Sequence, residues 1–505
     1  MRAIRRNEER LFLGLDLGTS AVKVGLFDAE GHLLRRARRT YPLYTPRPGW
    51  AEQEPEEWWS AACDALQEVL AGVDADRVAS VGLSGHAPSQ VLVARDGRPL
   101  GRAIMWSDRR AATEATWLAE RVTPEQARDW TDCAFITGVT QPAARLLWLK
   151  THRPDDWARC AAVVHPKDFI ALRLTGQTAT DANSALCLFN PQTSRYAAEL
   201  LALLGVEPEK LPPVLEPTAV LGYVTSEAAA ATGLRPGTPV VIGTVDAWCD
   251  ILGCGGITPG CAVDVAGTSE VVALVTAEAV DGEGVFSAPL VEGRYWIGGP
   301  MQAGGAALAW LARCFYGREQ PDFDLMEEEA SAVAPGAEGL LFLPYLQGER
   351  APVWDPKARG ALVGLTDRHV RAHCARAVYE GMAFAVRDLL ERCRAAAGLA
   401  PEVLRVCGGG STSAFWNQIK ADVTGLPVQR VAVLDAACLG AALLAAVGAG
   451  AFRGLDEAAG AMVRVADTFD PVLAHVSRYD GLFAAWGRLY PALRPVFSQL
   501  GRLMG

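Results

Sequence analysis

One pattern occurs twice in this 505-residue chain, about half its length apart: an apolar strand, a Gly-Thr-Ser turn and a second apolar strand. The first copy carries Asp16, Gly18, Thr19, Ser20 and Lys23; the second carries Asp264, Gly267, Thr268 and Ser269. Each copy has an Asp in its leading strand. A duplication of this kind predicts two related lobes, each offering a hydroxyl-bearing turn to one shared ligand. The length agrees, since single hydrophobic cores rarely grow past roughly 250–300 residues.

The order of elements fits an α/β class. Leu11–Leu17, Val22–Phe27 and His32–Tyr41 read as successive strands. A helix opens at Glu54-Pro55-Glu56, where early acids and a proline favour a start, and runs to about Gly72. Strands follow at Val78–Leu83, Gln90–Ala94 and Ala103–Trp106. Ser107-Asp108-Arg109-Arg110 then leads into what reads as a long helix. Val240–Gly243 is a short buried strand feeding Asp246. The glycines at 253, 255, 256 and 260 mark a flexible join, so the expected domains are 11–255 and 256–505. The second half repeats the plan. It adds a long helix at Arg371–Arg394, a strand at Val403–Cys407, Gly408-Gly409-Gly410-Ser411, and a helix through Trp416–Thr424. Alternating strands and helices place ligands at the strand ends.

Composition excludes several classes. A net charge of −10 argues against a broad nucleic-acid footprint, which needs a basic face. The most apolar stretch, Ala436 to Phe452, is short of the ~20 residues that a membrane span needs, and reads as a buried helix. The 12 cysteines are scattered, without a C-x-x-C pair, so all are expected to be reduced in a cytoplasmic protein. His369 and His373, four apart, are expected on one helix face; they lack a third ligand and read as a helix pair rather than a metal site.

The chemistry-bearing residues fall at the turns. Asp16 beside Gly18, Thr19 and Ser20 combines a carboxylate with backbone and hydroxyl donors, which suits phosphate oxygens and Mg²⁺ held by Asp16. Asp246, at a strand end before a helix, is either a helix cap or a base that takes a proton from a substrate hydroxyl. The helix N-terminus favours its ionised form; Asp250, one turn on, would raise its pKa or else point to solvent. Gly408-Gly409-Gly410 between strand and helix permits close backbone contact with a phosphate or a flat ring. It lacks the spacing of a P-loop or of the dinucleotide fingerprint. Trp50-Ala-Glu52-Gln53, Ser84-Gly85-His86 and Trp106-Ser107-Asp108 carry aromatic and polar groups suited to a sugar.

Taken together, Leu-Asp16-Leu-Gly-Thr-Ser, Trp50-Ala-Glu-Gln, Ile-Met-Trp106-Ser-Asp108 and Pro166-Lys167-Asp168 resemble the N-terminal domain of FGGY-type carbohydrate kinases. Gly243-Thr-Val-Asp246, Gly267-Thr-Ser, Leu343-Pro-Tyr-Leu-Gln-Gly-Glu-Arg350 and Gly408-Gly-Gly continue the resemblance in the same order, and it is closest to xylulokinases. It implies two RNase H-like domains of the actin and hexokinase type, with ATP and Mg²⁺ in an interdomain cleft. It implies Asp246 as catalytic base, Gly18, Thr19, Ser20, Gly267, Thr268, Ser269, Gly408, Gly409 and Gly410 as nucleotide-binding, and His86, Trp106, Asp108 and Asp246 as substrate-binding. The expected partner is a small sugar or polyol, with neither nucleic acid nor membrane; a homodimer is implied by the family alone. Two departures bear on the sugar. His86-Ala87-Pro88-Ser89 stands where xylulokinases carry Gln-Met-His-Gly, and Ala247-Trp248-Cys249-Asp250 replaces small residues after the catalytic Asp. A kinase for glycerol, a tetritol or a hexose derivative, or an actin-like ATPase without a sugar substrate, are the alternative readings.

Overall fold

The computed structural model describes residues 10–133 and 136–504. The chain forms two compact units: one holds the residues up to Gly253 with Asp435–Val463, the other Cys254–Leu434 with Arg464 onward.

The first unit is built on a six-stranded sheet. Its elements in chain order are β1 (Leu11–Leu17), β2 (Ala21–Phe27), β3 (Leu33–Thr40), α1 (Pro55–Leu70), β4 (Val78–Gly85), α2 (Ala112–Ala119), α3 (Pro166–Thr175), β5 (Val220–Tyr223), β6 (Pro239–Val245) and α4 (Asp246–Gly253). The strand order is β5-β6-β4-β1-β2-β3. β1, β2 and β3 form an antiparallel meander, while β4 and β6 run parallel to β1 and β5 closes the edge antiparallel. β1 is buried at every position because both faces are covered, which explains its unbroken apolar run around Asp16. Trp58 of α1 and Phe169 of α3 pack edge to face in this core.

The second unit repeats the plan. β7 (Ala262–Ala266), β8 (Glu270–Thr276), β9 (Phe286–Pro289), β10 (Tyr295–Met301), α5 (Arg371–Ala397), β11 (Leu404–Cys407), α6 (Ala414–Thr424), β12 (Val428–Val431) and β13 (Val465–Phe469) give the order β9-β10-β8-β7-β11-β12-β13. Strand directions match the first unit: β10-β8-β7 are antiparallel, β11 and β12 parallel to β7, and β13 antiparallel at the edge. Each unit is therefore RNase H-like, as the resemblance implies, and the two are related, as the duplicated turn predicts; β9 is an added edge.

Four expectations need correction. The segment after Arg110 is helical only over Ala112–Ala119, since Thr123-Pro124 begins a separate capped helix. Not all cysteines are free, because Cys133 and Cys187 pair as a disulfide with their Cα atoms 5.5 Å apart; a separation of 54 residues hides that proximity from spacing rules. His369 and His373 do not share a helix, because α5 begins at Arg371. Their Nδ1 atoms accept the N–H groups of Thr366 and Val370.

The fourth concerns the boundary. A single cut near 255 misses that α7 (Ala436–Gly448) returns to the first unit. Its residues 436–446 are all buried, and it packs backbone to backbone on β1, β4 and α4. Gly14, Gly82 and Gly253 each lack the Cβ that would strike a carbonyl of α7, and Gly440 of α7 lies likewise against Cys249. Small residues thus let this helix approach closely, and the loop that leads into it brings Asp435 to Lys23 of β2. No helix of the described residues is long and apolar enough to cross a membrane.

Candidate active site

Asp16 lies near the end of β1, opposite Lys23 on β2 and Ser84 on β4. Its Oδ1 accepts the Ser84 hydroxyl at 2.8 Å, and its Oδ2 lies 3.7 Å from Lys23 Nζ. Lys23 Nζ also lies 3.4 Å from Asp435 Oδ1. Burial pushes the Asp16 carboxyl above its ordinary value, against the pull of Lys23 and Ser84. Burial opposes the charge on Lys23, but Asp16 and Asp435 outweigh it and raise the ammonium's pKa.

Asp246 begins α4 directly after β6, and its Oδ1 accepts the Ala247 N–H at 2.8 Å. The helix start was expected to keep this group ionised. Instead burial, and then the charge of Asp16, push it up to about 7, and the Ala247 N–H and Lys23 only moderate that. The neighbour that lifts it is thus Asp16 rather than Asp250. Asp250 is itself held well above the carboxylate range by burial, Asp16 and Asp246. Lys23 thus pairs with Asp16 and Asp435, while Asp246 and Asp250 feel the same Asp16 charge without an ion pair of their own to Lys23.

The turn after β1 is held from several sides. The Gly18 N–H donates to Ala21 O at 3.1 Å. The Gly18 carbonyl accepts the Tyr41 hydroxyl and the Thr19 carbonyl accepts Gln53 Nε2. Thr19 Oγ1 accepts the Trp106 indole N–H at 3.0 Å, so the structure brings two residues expected at different subsites into contact. His86 is 2% exposed. Its Nδ1 meets Ser89 Oγ at 2.9 Å, and burial pulls its pKa down to about 3. The other ring nitrogen, Nε2, is buried without a hydrogen-bond partner among the described residues.

Asp108 differs from the sugar-ligand expectation. It is fully buried, and its oxygens accept the N–H groups of Ala51 and Arg110 together with Nε and Nη2 of Arg110. A carboxylate offers about four acceptor sites, so none is left for a sugar hydroxyl. Asp108 instead anchors Arg110, whose guanidinium also pairs with Glu52 at 2.9 Å and stacks 3.7 Å from the Trp50 ring.

In the second unit, the Gly267 N–H donates to Ser269 O at 3.0 Å. Thr268 is exposed and Ser269 half-buried. The Gly267 and Thr268 carbonyls accept the N–H groups of Gly305 and Ala306 at the start of the helix Gly305–Tyr316. Asp264 is no counterpart of Asp16. It stands three residues before Gly267, whereas Asp16 stands two before Gly18, and one step along a strand reverses the face. Asp264 is fully buried and pairs with Lys420 of α6, which also holds Glu270 at 2.6 Å. Gly408 lies at φ 80, where a side chain is disfavoured, and Gly409 and Gly410 begin a short 3-10 turn.

Comparison with known proteins decides the family. Residues 11–253 match the N-terminal domain of the FGGY family of carbohydrate kinases, and residues 262–449 match its C-terminal domain. The chain belongs to the FGGY family of carbohydrate kinases. It is 31% identical to a xylulose kinase of Bacillus subtilis (strain 168) over 485 residues, 95% of this chain and 96% of that protein. Its fold superimposes on the xylulose kinase of Rhodospirillum rubrum with a TM-score of 0.86 at 32% identity, covering 97% and 100% of the two chains. The gluconate kinase of Lactobacillus acidophilus gives 0.88 at 26% identity, covering 97% and 99%. As an FGGY kinase the protein is a carbohydrate kinase that uses ATP to phosphorylate a sugar.

Sequence reasoning missed Ser84 and Asp435 as partners of the Asp16 and Lys23 pair. Ser84 was legible as the end of a strand parallel to β1. Asp435 carried no local signal, since only the return of α7 brings it near.

Proposed function

We propose that the protein transfers the γ-phosphoryl of ATP to a terminal hydroxyl of a pentulose. The observation that carries this is Asp246, half-buried at a strand end, with its carboxyl raised to about 7 beside Asp16. A base with a pKa near the operating pH suits proton abstraction from an alcohol. Asp246 orients the hydroxyl and takes its proton as the oxygen bonds to phosphorus and the P–O bond to ADP breaks. The products are ADP and the sugar phosphate.

Thr19 and Ser20, and Thr268 and Ser269, offer hydroxyl and backbone donors to phosphate oxygens, and Gly408, Gly409 and Gly410 leave room for the nucleotide. Positioning and charge stabilisation supply most of the rate in such transfers. Asp16 would hold Mg²⁺, which when bound neutralises phosphate charge. Asp16 presents a hard carboxylate oxygen at the strand end beside the turn, 3.7 Å from Lys23 Nζ, which is the donor chemistry that cation takes. Trp106, 37% exposed, offers an apolar ring face to the sugar. The pentulose is favoured by the two xylulose kinases to which the chain is similar. The test is ADP formation with D-xylulose, L-xylulose, D-ribulose, gluconate, erythritol and glycerol. Turnover of a ketopentose well above the other compounds is expected. ADP release that no sugar accelerates would reject the reading.

A further inference from the structure

Hydrogen bonds form a circuit around the first phosphate turn. The His86 N–H donates to the Leu17 carbonyl at 3.0 Å, and the His86 ring meets Ser89 Oγ at 2.9 Å. Ser89 Oγ accepts the Trp106 backbone N–H at 2.9 Å, and the Trp106 indole N–H donates to Thr19 Oγ1 at 3.0 Å. Leu17 and Thr19 flank Gly18, so the circuit opens and closes on the same turn. Ser89 is fully buried and His86 nearly so, which leaves the His86–Ser89 link little competition from water; the Trp106–Thr19 link stands at the exposed end of the circuit. His86 and Ser89 fall in the segment where the chain departs from the xylulokinase pattern.

The consequence lies in the hydroxyl hydrogen of Thr19. A threonine hydroxyl has one hydrogen and two lone pairs. The backbone of the turn is already fixed through Gly18 and through the carbonyls held by Tyr41 and Gln53. What remains free is the hydroxyl rotor. When Oγ1 accepts the indole N–H, its own hydrogen must point elsewhere. We propose that Trp106 is a positioning residue for phosphoryl transfer, which aims the Thr19 O–H at a phosphate oxygen, and that Ser89 fixes Trp106 for that task. The departure at His86-Ala87-Pro88-Ser89 thus supports the phosphate turn from behind. This rests on the reading of Thr19 as a phosphate donor.

The test is a set of double-mutant cycles read by kcat and by the separate KM values for ATP and D-xylulose, or for whichever ketose of the panel turns over fastest. Trp106→Phe keeps the ring and removes the N–H. It should lower kcat about 3–10-fold, the worth of one hydrogen bond, with the sugar KM changed less than about twofold. Thr19→Val should lower kcat about 10²-fold, as loss of an oxyanion donor does. In the Thr19→Val background, Trp106→Phe and Ser89→Ala should have no further effect, whereas in Thr19→Ser, which keeps the hydroxyl, both effects should persist. Thermal melts confirm that each variant is folded. Trp106→Phe that raises only the sugar KM, or that multiplies with Thr19→Val, overturns the positioning role and leaves the kinase reading intact. Thr19→Val with unchanged kcat overturns both the role and the reading of this turn.

Discussion

Replacing Gly440 by Ala tests how the candidate base is held. In most helices this change adds about 1 kcal/mol of stability. Here a Cβ at position 440 would lie 2.7 Å from the Cys249 carbonyl carbon and 2.9 Å from its Cα, and closer still to its oxygen, where ordinary contacts fall at 3.4–4 Å. Both sides of the clash are main chain, so no rotamer relieves it, and α7 and α4 must part by about 1 Å to restore contact distance. Overpacking of this kind costs about 3 kcal/mol, which leaves a net loss of about 2 kcal/mol after the propensity gain. Because α4 begins at Asp246, the same displacement should lower kcat about 10²-fold in the folded protein. The control is Gly460→Ala in the helix Leu455–Met462, where nothing lies within 4 Å of an added Cβ; it should stabilise by about 0.5–1 kcal/mol. Urea unfolding of both variants, with kcat measured on the folded protein, decides the matter. A Gly440→Ala protein as stable and active as its parent would refute the close packing of α7.

Three further predictions come from the site. Because burial and Asp16 hold Asp246 near pH 7, kcat/KM for the sugar at low Mg²⁺ should rise with pH through that region and then level off, and added Mg²⁺ should move the midpoint down; a flat profile between pH 5 and 8 contradicts this. His86 is held neutral with its pKa lowered from 6.5 to about 3, so the unfolded chain binds a proton that the folded one does not. Stability is then complete above pH 6.5 and is lost as pH falls, by about 2 kcal/mol at pH 5; urea unfolding at pH 7 and pH 5 should show that loss, reduced in His86→Gln. Asp108→Asn removes the charge that partners buried Arg110 and should cost about 3–5 kcal/mol of stability with little change in the sugar KM; a raised KM without destabilisation would return Asp108 to the sugar subsite.

The duplicated turn made the two lobes legible, because Gly-Thr-Ser between apolar strands is a local signal. The strands on either side of it, the strand that delivers Asp246 and the helix at Arg371 follow from periodicity alone. What sequence could not reveal depends on contacts far apart in the chain. Asp435 joins Asp16 and Lys23 only because α7 crosses back to the first unit, and its glycine contacts look like ordinary small residues in sequence. Asp108 looked like a sugar ligand because its motif is polar and aromatic, yet Arg110, two residues on, uses its acceptor sites. Asp264 looked like a copy of Asp16 until the one-residue difference in spacing was converted to opposite strand faces. Nothing local at Gly85-His86 signals that the His86 ring packs beside Trp58.

The most direct measurement is the single-turnover rate of phosphoryl transfer from ATP to the preferred ketose by Asp246→Asn, with nucleotide binding followed in parallel by calorimetry. The amide is isosteric but cannot take the proton, so a loss of about 10²–10⁴ in rate with nucleotide affinity retained is expected. A near-normal rate with intact binding would contradict Asp246 as the base.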